Sequence, residues 1–116
     1  MIRVTDDDPL INARARVLHD LEARGQAGPR GVSILEQTLS ERRWWVSEWP
    51  EGAAYVAGQV AQDVQDALLD RVGRWPLCKA CDEVAPHEMR INPELGSDPH
   101  WVCERSGIDV APLGEL

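Results

Sequence analysis

Residues 75–103 read WPLCKACDEVAPHEMRINPELGSDPHWVC and contain all three cysteines of this 116-residue chain. Cys78 and Cys81 form a C-x2-C pair, and Cys103 follows 22 residues after Cys81. A disulfide between the first two would close a small, strained ring, whereas two thiolates on one tight turn can reach a single metal ion. Tetrahedral Zn²⁺ held by three Cys and one His is a common structural site. The stretch therefore predicts a zinc site with three cysteine ligands.

The fourth ligand is less defined by the spacing. A zinc ribbon joins two knuckles, and residues 77–81 form a complete one, but the second, starting at Cys103, has Ser106 where a ribbon places Cys. His87 is the first candidate because it starts a predicted strand after the first knuckle. His100 is the second, although strand residues three apart point to opposite faces. Two carboxylates remain as oxygen ligands, Asp82 and Glu83.

The alternative to a zinc site is a pair of buried thiols with no metal. Zinc is favoured because a segment rich in Pro and Gly buries too little surface to fold alone, and metal binding can supply the missing free energy. A structural role is favoured over a catalytic one, since four protein ligands leave no open position. The sequence contains no HExxH motif and no Walker loop, and it has no Ser-His-Asp arrangement in a convincing setting.

The charge argues against binding to nucleic acid. The formal net charge is −8, made of −3 in residues 1–74 (9 basic, 12 acidic) and −5 in residues 75–116 (3 basic, 8 acidic). Phosphate contacts need clustered Lys and Arg, and the segment with the cysteines is the more acidic one. No apolar run of 18 residues and no signal peptide is evident, so we expect a cytoplasmic protein without a membrane span. Reduced thiols in odd number then fit a metal better than disulfides.

Helical spacing of apolar residues covers most of residues 1–74. Asp8 followed by Pro9 predicts the start of a first helix, and Ser33 with Glu36 matches a capping box for the second. Pro50 should break the second helix. Charged and amide residues, including Asp20 and Gln65, are assigned to the solvent faces of their helices. We predict helices at about residues 9–24, 31–47 and 51–73.

The third predicted helix has a row of apolar residues at i+4 intervals: Val56, Val60, Val64, Leu68 and Val72. Gly58 inside it would mark a close approach of another segment. Five Trp without any Phe form the other unusual feature, and they are expected in a core or at an interface. We therefore expect a protein partner, or self-association, through the Trp-bearing and Val-rich helices.

From Trp75 the helical spacing stops. The segments 87–91 and 100–103 alternate in polarity around a turn-rich loop, which predicts a β-hairpin, with a third strand at residues 108–111. The predicted fold is α+β, with about three N-terminal helices (1–74, the helical region) followed by a zinc-ribbon-like hairpin module (75–116).

Several segments resemble small proteins of actinobacteria and their tailed phages. They are residues 63–70, the Trp75-Pro76-Leu77-Cys78 run, His87, the His100-Trp101-Val102-Cys103 run and residues 110–116, VAPLGEL. The pattern of these proteins reads approximately W-P-x-C-P-x-H, then a further H, W-x-C-P-x-x-G and V-A-x-x-G-x-L. A His often stands there at the position of Cys81, an exchange that a zinc ligand tolerates. The resemblance, over about residues 50–116, implies Cys78, Cys81, His87 and Cys103 as the ligand set. This chain departs from it at Lys79 and in its longer spacing to His87.

The resemblance implies a phage or prophage context but no activity. We therefore expect a non-enzymatic structural or adaptor protein, such as a virion or assembly component. The alternative is a regulatory zinc module that contacts the transcription machinery or nucleic acid. Two other motifs are interpreted as structural rather than functional. We expect Asp6-Asp7-Asp8 to be a solvated helix cap rather than a cation site. We expect Arg42-Arg43-Trp44-Trp45 to be a helix segment rather than a phosphate-binding patch. His19 is expected at the surface.

Overall fold

The computed structural model describes residues 8–116. Within these residues, three α-helices come first: α1 (Pro9–Ala23), α2 (Pro29–Glu48) and α3 (Val56–Arg71), with a 3₁₀ helix (Pro50–Tyr55) between α2 and α3. An antiparallel sheet of three strands follows, in the order β1-β2-β3: β1 (Arg90–Asn92), β2 (His100–Val102) and β3 (Asp109–Pro112). The α+β class is confirmed. No helix in this part of the chain is long and apolar enough to cross a membrane.

A side-chain cap defines the start of α1 but not of α2. The Asp8 carboxylate accepts a hydrogen bond of 2.9 Å from the backbone N–H of Leu10, and Pro9 takes the first helical position, as predicted. The predicted capping box is wrong, because α2 already begins at Pro29 and Ser33 lies inside it. Asp6 and Asp7, the rest of the acidic run, lie outside the described residues.

The third predicted helix is divided in two. Pro50 ends α2 as expected, but residues 50–55 form a 3₁₀ helix, and the α-helix starts only at Val56. Helix α3 then packs against both α1 and α2. Four members of its apolar row are at most 1% exposed: Val56, Val60, Val64 and Leu68. The Val row is therefore used in the chain's own core, while Val72, beyond the helix end, is 44% exposed.

The C-terminal segment shares this core. Trp75 and Trp101 are 1% and 0% exposed and belong to the same buried cluster as the helices. Gly58 marks a close approach as predicted, since a Cβ there would lie 3.3 Å from Pro99. The division into residues 1–74 and 75–116 remains a prediction from sequence.

The hairpin strands are shorter than predicted. In β1 and β2, Ile91 pairs with Trp101, and both side chains are buried. Residues 87–89 are not part of β1, because they pair instead with the segment before the first knuckle. The N–H of Cys78 donates to the carbonyl of His87 at 2.9 Å, and the N–H of Met89 donates to the carbonyl of Pro76 at 2.9 Å. This pairing carries His87 towards the C-x2-C turn.

Candidate metal centre

Four metal-ligating side chains converge at one end of the sheet. Cys78 and Cys81 come from the turn after Trp75, His87 from the segment paired with it, and Cys103 from the residue after β2. One donor atom from each lies within 4.8 Å of the other three. His87 and Cys103 are buried, while Cys78 and Cys81 are half-buried. The cluster could hold a metal ion.

Three of the distances between the donor atoms match a tetrahedral zinc site. The sulfurs of Cys78 and Cys81 lie 3.8 Å apart, and Nε2 of His87 lies 3.3 Å from the sulfur of Cys81 and 3.5 Å from that of Cys103. Ideal tetrahedral bonds to zinc would separate two sulfurs by about 3.8 Å and a sulfur from a nitrogen by about 3.5 Å. The donors therefore fit zinc.

The tautomer of His87 also suits a metal ligand. Its Nδ1 lies 2.9 Å from the backbone carbonyl of Ala85, and a carbonyl only accepts, so Nδ1 carries the proton. The other nitrogen, Nε2, then offers its lone pair to the space between the sulfurs. A backbone carbonyl that fixes the distal ring nitrogen is a usual outer-shell partner of a metal-bound His. In the free chain, this carbonyl and then the Cys103 sulfur raise the pKa of His87.

Backbone N–H groups point at the sulfurs of the first knuckle. The N–H of Ala80 donates to the sulfur of Cys78 at 3.5 Å. Burial raises the pKa of Cys78, but the N–H groups of Ala80 and Cys81 outweigh it, and the net pKa is lowered. For Cys81, the N–H of Glu83 lowers the pKa, while burial and the other thiols raise it above the ordinary value. These donors would stabilise metal-bound thiolates.

The second knuckle is present in geometry although it lacks its second Cys. A tight turn links the N–H of Gly107 to the carbonyl of Cys103 at 2.7 Å, and Gly107 has a φ of 78°, which favours glycine. The Ser106 hydroxyl at the vacant Cys position lowers the pKa of Cys103, with further N–H groups, to about 6. Ser106 thus supports the Cys103 thiolate and is not among the four converging residues.

The other candidate ligands have different partners. The Nδ1 atom of His100 lies 2.9 Å from a carboxylate oxygen of Asp109, away from the cysteines. Glu83 pairs with Arg105 at 3.3 Å across the two knuckle turns. Asp82 is exposed and outside the converging group. The structure thus brings His87, rather than His100, to the three thiols.

Sequence reasoning placed Asp20 on a solvent face, and this is wrong. Asp20 is 0% exposed, and its carboxylate accepts hydrogen bonds from the Trp101 indole N–H at 2.8 Å and from the backbone N–H groups of Gly114 and Leu116 at 2.7 and 3.0 Å. The indole N–H of Trp75 donates to the backbone carbonyl of Asp20 at 3.3 Å. Asp20 therefore holds both core Trp residues and the C-terminal segment against α1.

Gln65 was also assigned to a solvent face and is 2% exposed. Its amide N–H₂ donates to the carbonyls of Trp75 and Met89 at 3.0 and 2.6 Å, and its oxygen accepts from Arg90 at 3.1 Å. A signal for both residues existed in the sequence. Asp20 follows the stripe residue Val17 by three positions, and Gln65 follows Ala61 by four and precedes Leu68 by three, so each is a polar residue on an apolar face.

Four of the five Trp residues form two pairs. Trp75 and Trp101 pack edge to face in the core, with ring centroids 5.3 Å apart. Trp45 and Trp49 make a second edge-to-face pair, at 5.2 Å, near the end of α2. Trp44 stands 67% exposed. The expected core role holds for two Trp residues, and at least one other presents its ring to solvent.

These features define an α+β domain with a ribbon-like Cys3His centre docked on a helical core. The chain belongs to a protein family described as a domain of unknown function (DUF8819), which matches residues 6–113. No curated protein and no solved structure matches the chain.

Proposed function

We propose that the chain is a non-enzymatic structural or adaptor protein whose C-terminal segment is held by one structural Zn²⁺. The observation that carries the proposal is the convergence of four donors within 4.8 Å, with three of their separations matching tetrahedral zinc: Cys78, Cys81, His87 and Cys103. Three sulfurs and one nitrogen form a soft donor set, which favours zinc over Mg²⁺ or Ca²⁺. Zinc binding would then contribute directly to folding.

A structural role is supported by the completeness of the donor set. Catalytic zinc sites keep a position for water or substrate beside three protein ligands, whereas four protein ligands close the tetrahedron. The buried His87 and Cys103 and the N–H groups directed at the thiols are what a closed site needs. Turnover of a substrate at this centre would require a ligand to leave.

An adaptor or assembly role is the finer part of the proposal. The exposed Trp44, with the partly exposed Trp49 at 39%, offers aromatic surface for a protein partner or a second copy. The Val row of α3 packs internally, so such contacts would use other residues. The resemblance to actinobacterial and phage proteins makes a virion or assembly component the specific candidate. The protein would then be located in the virion, or otherwise in the cytoplasm.

Native mass spectrometry before and after a strong chelator tests the zinc part. We expect one Zn per chain in the native protein and loss of folded charge states after chelation. A metal-free protein that stays folded would contradict the proposal. Assemblies larger than a monomer would support the assembly role, and co-purification with phage particles would support the virion role.

The regulatory alternative is tested with the same preparation. Exposed carboxylates adjoin the cysteine ligands in sequence, namely Asp82 and Glu83 after Cys81 and Glu104 after Cys103, and they oppose phosphate binding. We expect no retention on a DNA column at low salt. Retention that is lost steeply as salt rises would favour the regulatory module instead.

A further inference from the structure

The three cysteines of the centre differ in access. Cys103 is 0% exposed, behind the second knuckle. Cys78 and Cys81 are half-buried, on a turn whose intervening residues Lys79 and Ala80 are exposed. Residues 82–86, which follow the turn, are exposed as well. A small molecule can therefore approach the C-x2-C pair but not Cys103.

We propose that the Cys78–Cys81 pair is an oxidation site for hydrogen peroxide, and that the disulfide formed there releases the bound ion. The inference rests on the proposed zinc site. Beyond that site, we infer that two of its four ligands can be oxidised. Under oxidising conditions, the C-terminal segment would then lose its metal.

The reaction is a two-electron oxidation with peroxide as the oxidant. One thiolate attacks a peroxide oxygen, the O–O bond breaks, and a sulfenic acid and hydroxide form. The second thiolate then attacks the sulfenic sulfur and displaces a second hydroxide. Two thiolates and one H₂O₂ thus give one disulfide and two hydroxide ions. The sulfurs are already 3.8 Å apart, so the bond needs only a small closure of the turn.

Access decides which thiolates react. Cys78 and Cys81 are half-buried, whereas Cys103 is 0% exposed. Either member of the C-x2-C pair can therefore meet peroxide first, and the other member, with its sulfur 3.8 Å away, then completes the disulfide.

The oxidation should be reversible. A disulfide within a C-x2-C turn closes a small ring, and strained or exposed disulfides are the more easily reduced ones. A dithiol should restore both thiols and allow zinc to return.

The test uses the full chain loaded with one Zn, a content that is measured first. Hydrogen peroxide is added, zinc release is followed with a coloured chelator, and the disulfide is mapped by non-reducing peptide mass spectrometry. We expect one Zn released for each Cys78–Cys81 disulfide formed, and recovery of binding after dithiothreitol. A chain without zinc at the start would contradict the proposed function rather than this inference.

Two variants of the same turn form a matched pair. Cys81→His keeps four ligands, because His can replace Cys as a zinc ligand, but it removes the reactive pair, and we expect its peroxide-driven zinc release to slow at least about tenfold. Lys79→Ala, at an exposed residue that is not a ligand, keeps both the pair and the ligand set, and its release should stay within about threefold of the unmodified chain. Zinc content is confirmed for each variant before oxidation.

Three results would overturn the inference. They are a disulfide that includes Cys103, zinc release without any Cys78–Cys81 disulfide, and a loaded chain that keeps its zinc in excess peroxide. The disulfide map of the unmodified chain decides the question even where Cys81→His fails to load zinc.

Discussion

Residues 9–71 and residues 75–116 both contribute apolar side chains to one core, yet different interactions hold them there. The helices follow local signals, namely a capped start at Asp8 and an apolar row along α3. The C-terminal segment has strands of only three or four residues, and its fixed points are distant: the Cys/His centre and hydrogen bonds to Asp20 and Gln65. Short-range patterning suffices for the helices, whereas the C-terminal segment depends on contacts far apart in sequence.

The difference has a physical reason. A helix satisfies its own backbone hydrogen bonds, so one apolar stripe is enough to dock it. Short strands and turns leave more backbone to be paired and bury less apolar surface for each residue that they order. Metal ligands and buried polar groups compensate for this. The predictions below weaken one region at a time, in order of decreasing effect.

Removing the metal should produce the largest change. We expect Cys103→Ser, or chelation of the native chain, to lower the free energy of unfolding by more than about 4 kcal/mol, because metal binding is part of folding here. Urea titration followed by circular dichroism measures this. Lys79→Ala, an exposed non-ligand in the first knuckle, is the control. Equal stability with and without chelator would remove the proposed contrast between the regions.

Replacing Asp20 should separate the two regions without touching a ligand. Asp20→Ala would leave the Trp101 indole N–H and two backbone N–H groups buried without acceptors, at a cost of about 3–5 kcal/mol. Tryptophan fluorescence reports the environment of Trp75 and Trp101 during unfolding. Glu22→Ala, an exposed acid on the same helix, should change stability by less than about 0.5 kcal/mol. Similar effects of the two variants would contradict the anchoring role of Asp20.

Leu68 and Leu69 provide a matched test of the helical core. Leu68 is 0% exposed and Leu69 is 45% exposed on the same turn of α3. Leu68→Ala should cost about 2–4 kcal/mol through the lost burial and the cavity left behind, and Leu69→Ala less than about 1 kcal/mol. Thermal unfolding of both variants in the zinc-loaded chain measures the difference. A larger loss for Leu69 would mean that this face of α3 is covered by another chain.

The cap of α1 should contribute a smaller, local effect. Asp8→Ala removes the acceptor for the N–H of Leu10, and we expect a loss of about 1 kcal/mol. Asp8→Asn keeps a capping oxygen and should recover most of it. Hydrogen exchange should quicken in the first turn of α1 and stay unchanged at the metal centre. Faster exchange at residues 75–103 would show that the regions are coupled more tightly than the contacts indicate.

The pair of His100 and Asp109 should give the smallest effect, and one that depends on pH. The Asp109 carboxylate raises the pKa of His100. A raised folded-state pKa means that the pair stabilises the fold fully below the unfolded value of about 6.5, and that this contribution is lost as pH rises through the folded pKa. NMR titration should show the His100 pKa falling in Asp109→Asn. An unchanged pKa would mean that the pair does not form in solution.

The sequence by itself determined the α+β class, the helices near residues 9–24 and 31–47, and the three cysteines of the metal centre. Each rests on a local rule: a cap before Pro9, apolar spacing of three and four, and a C-x2-C turn that positions two thiols at once. It also indicated that another segment approaches α3 closely at Gly58, since glycine inside a helix is destabilising unless a close contact requires it.

Only the tertiary structure decided which His joins the thiols and what Asp20 and Gln65 do. His87 reaches the centre because its segment pairs with residues 76–78, and Asp109 takes His100 instead. Asp20 and Gln65 are buried because their hydrogen-bond partners come from residues 75–116, 10 to 96 positions away. Polarity along a helix predicts the solvent face only when no distant donor or acceptor satisfies a buried polar group, and that condition is set by the packing of the whole chain.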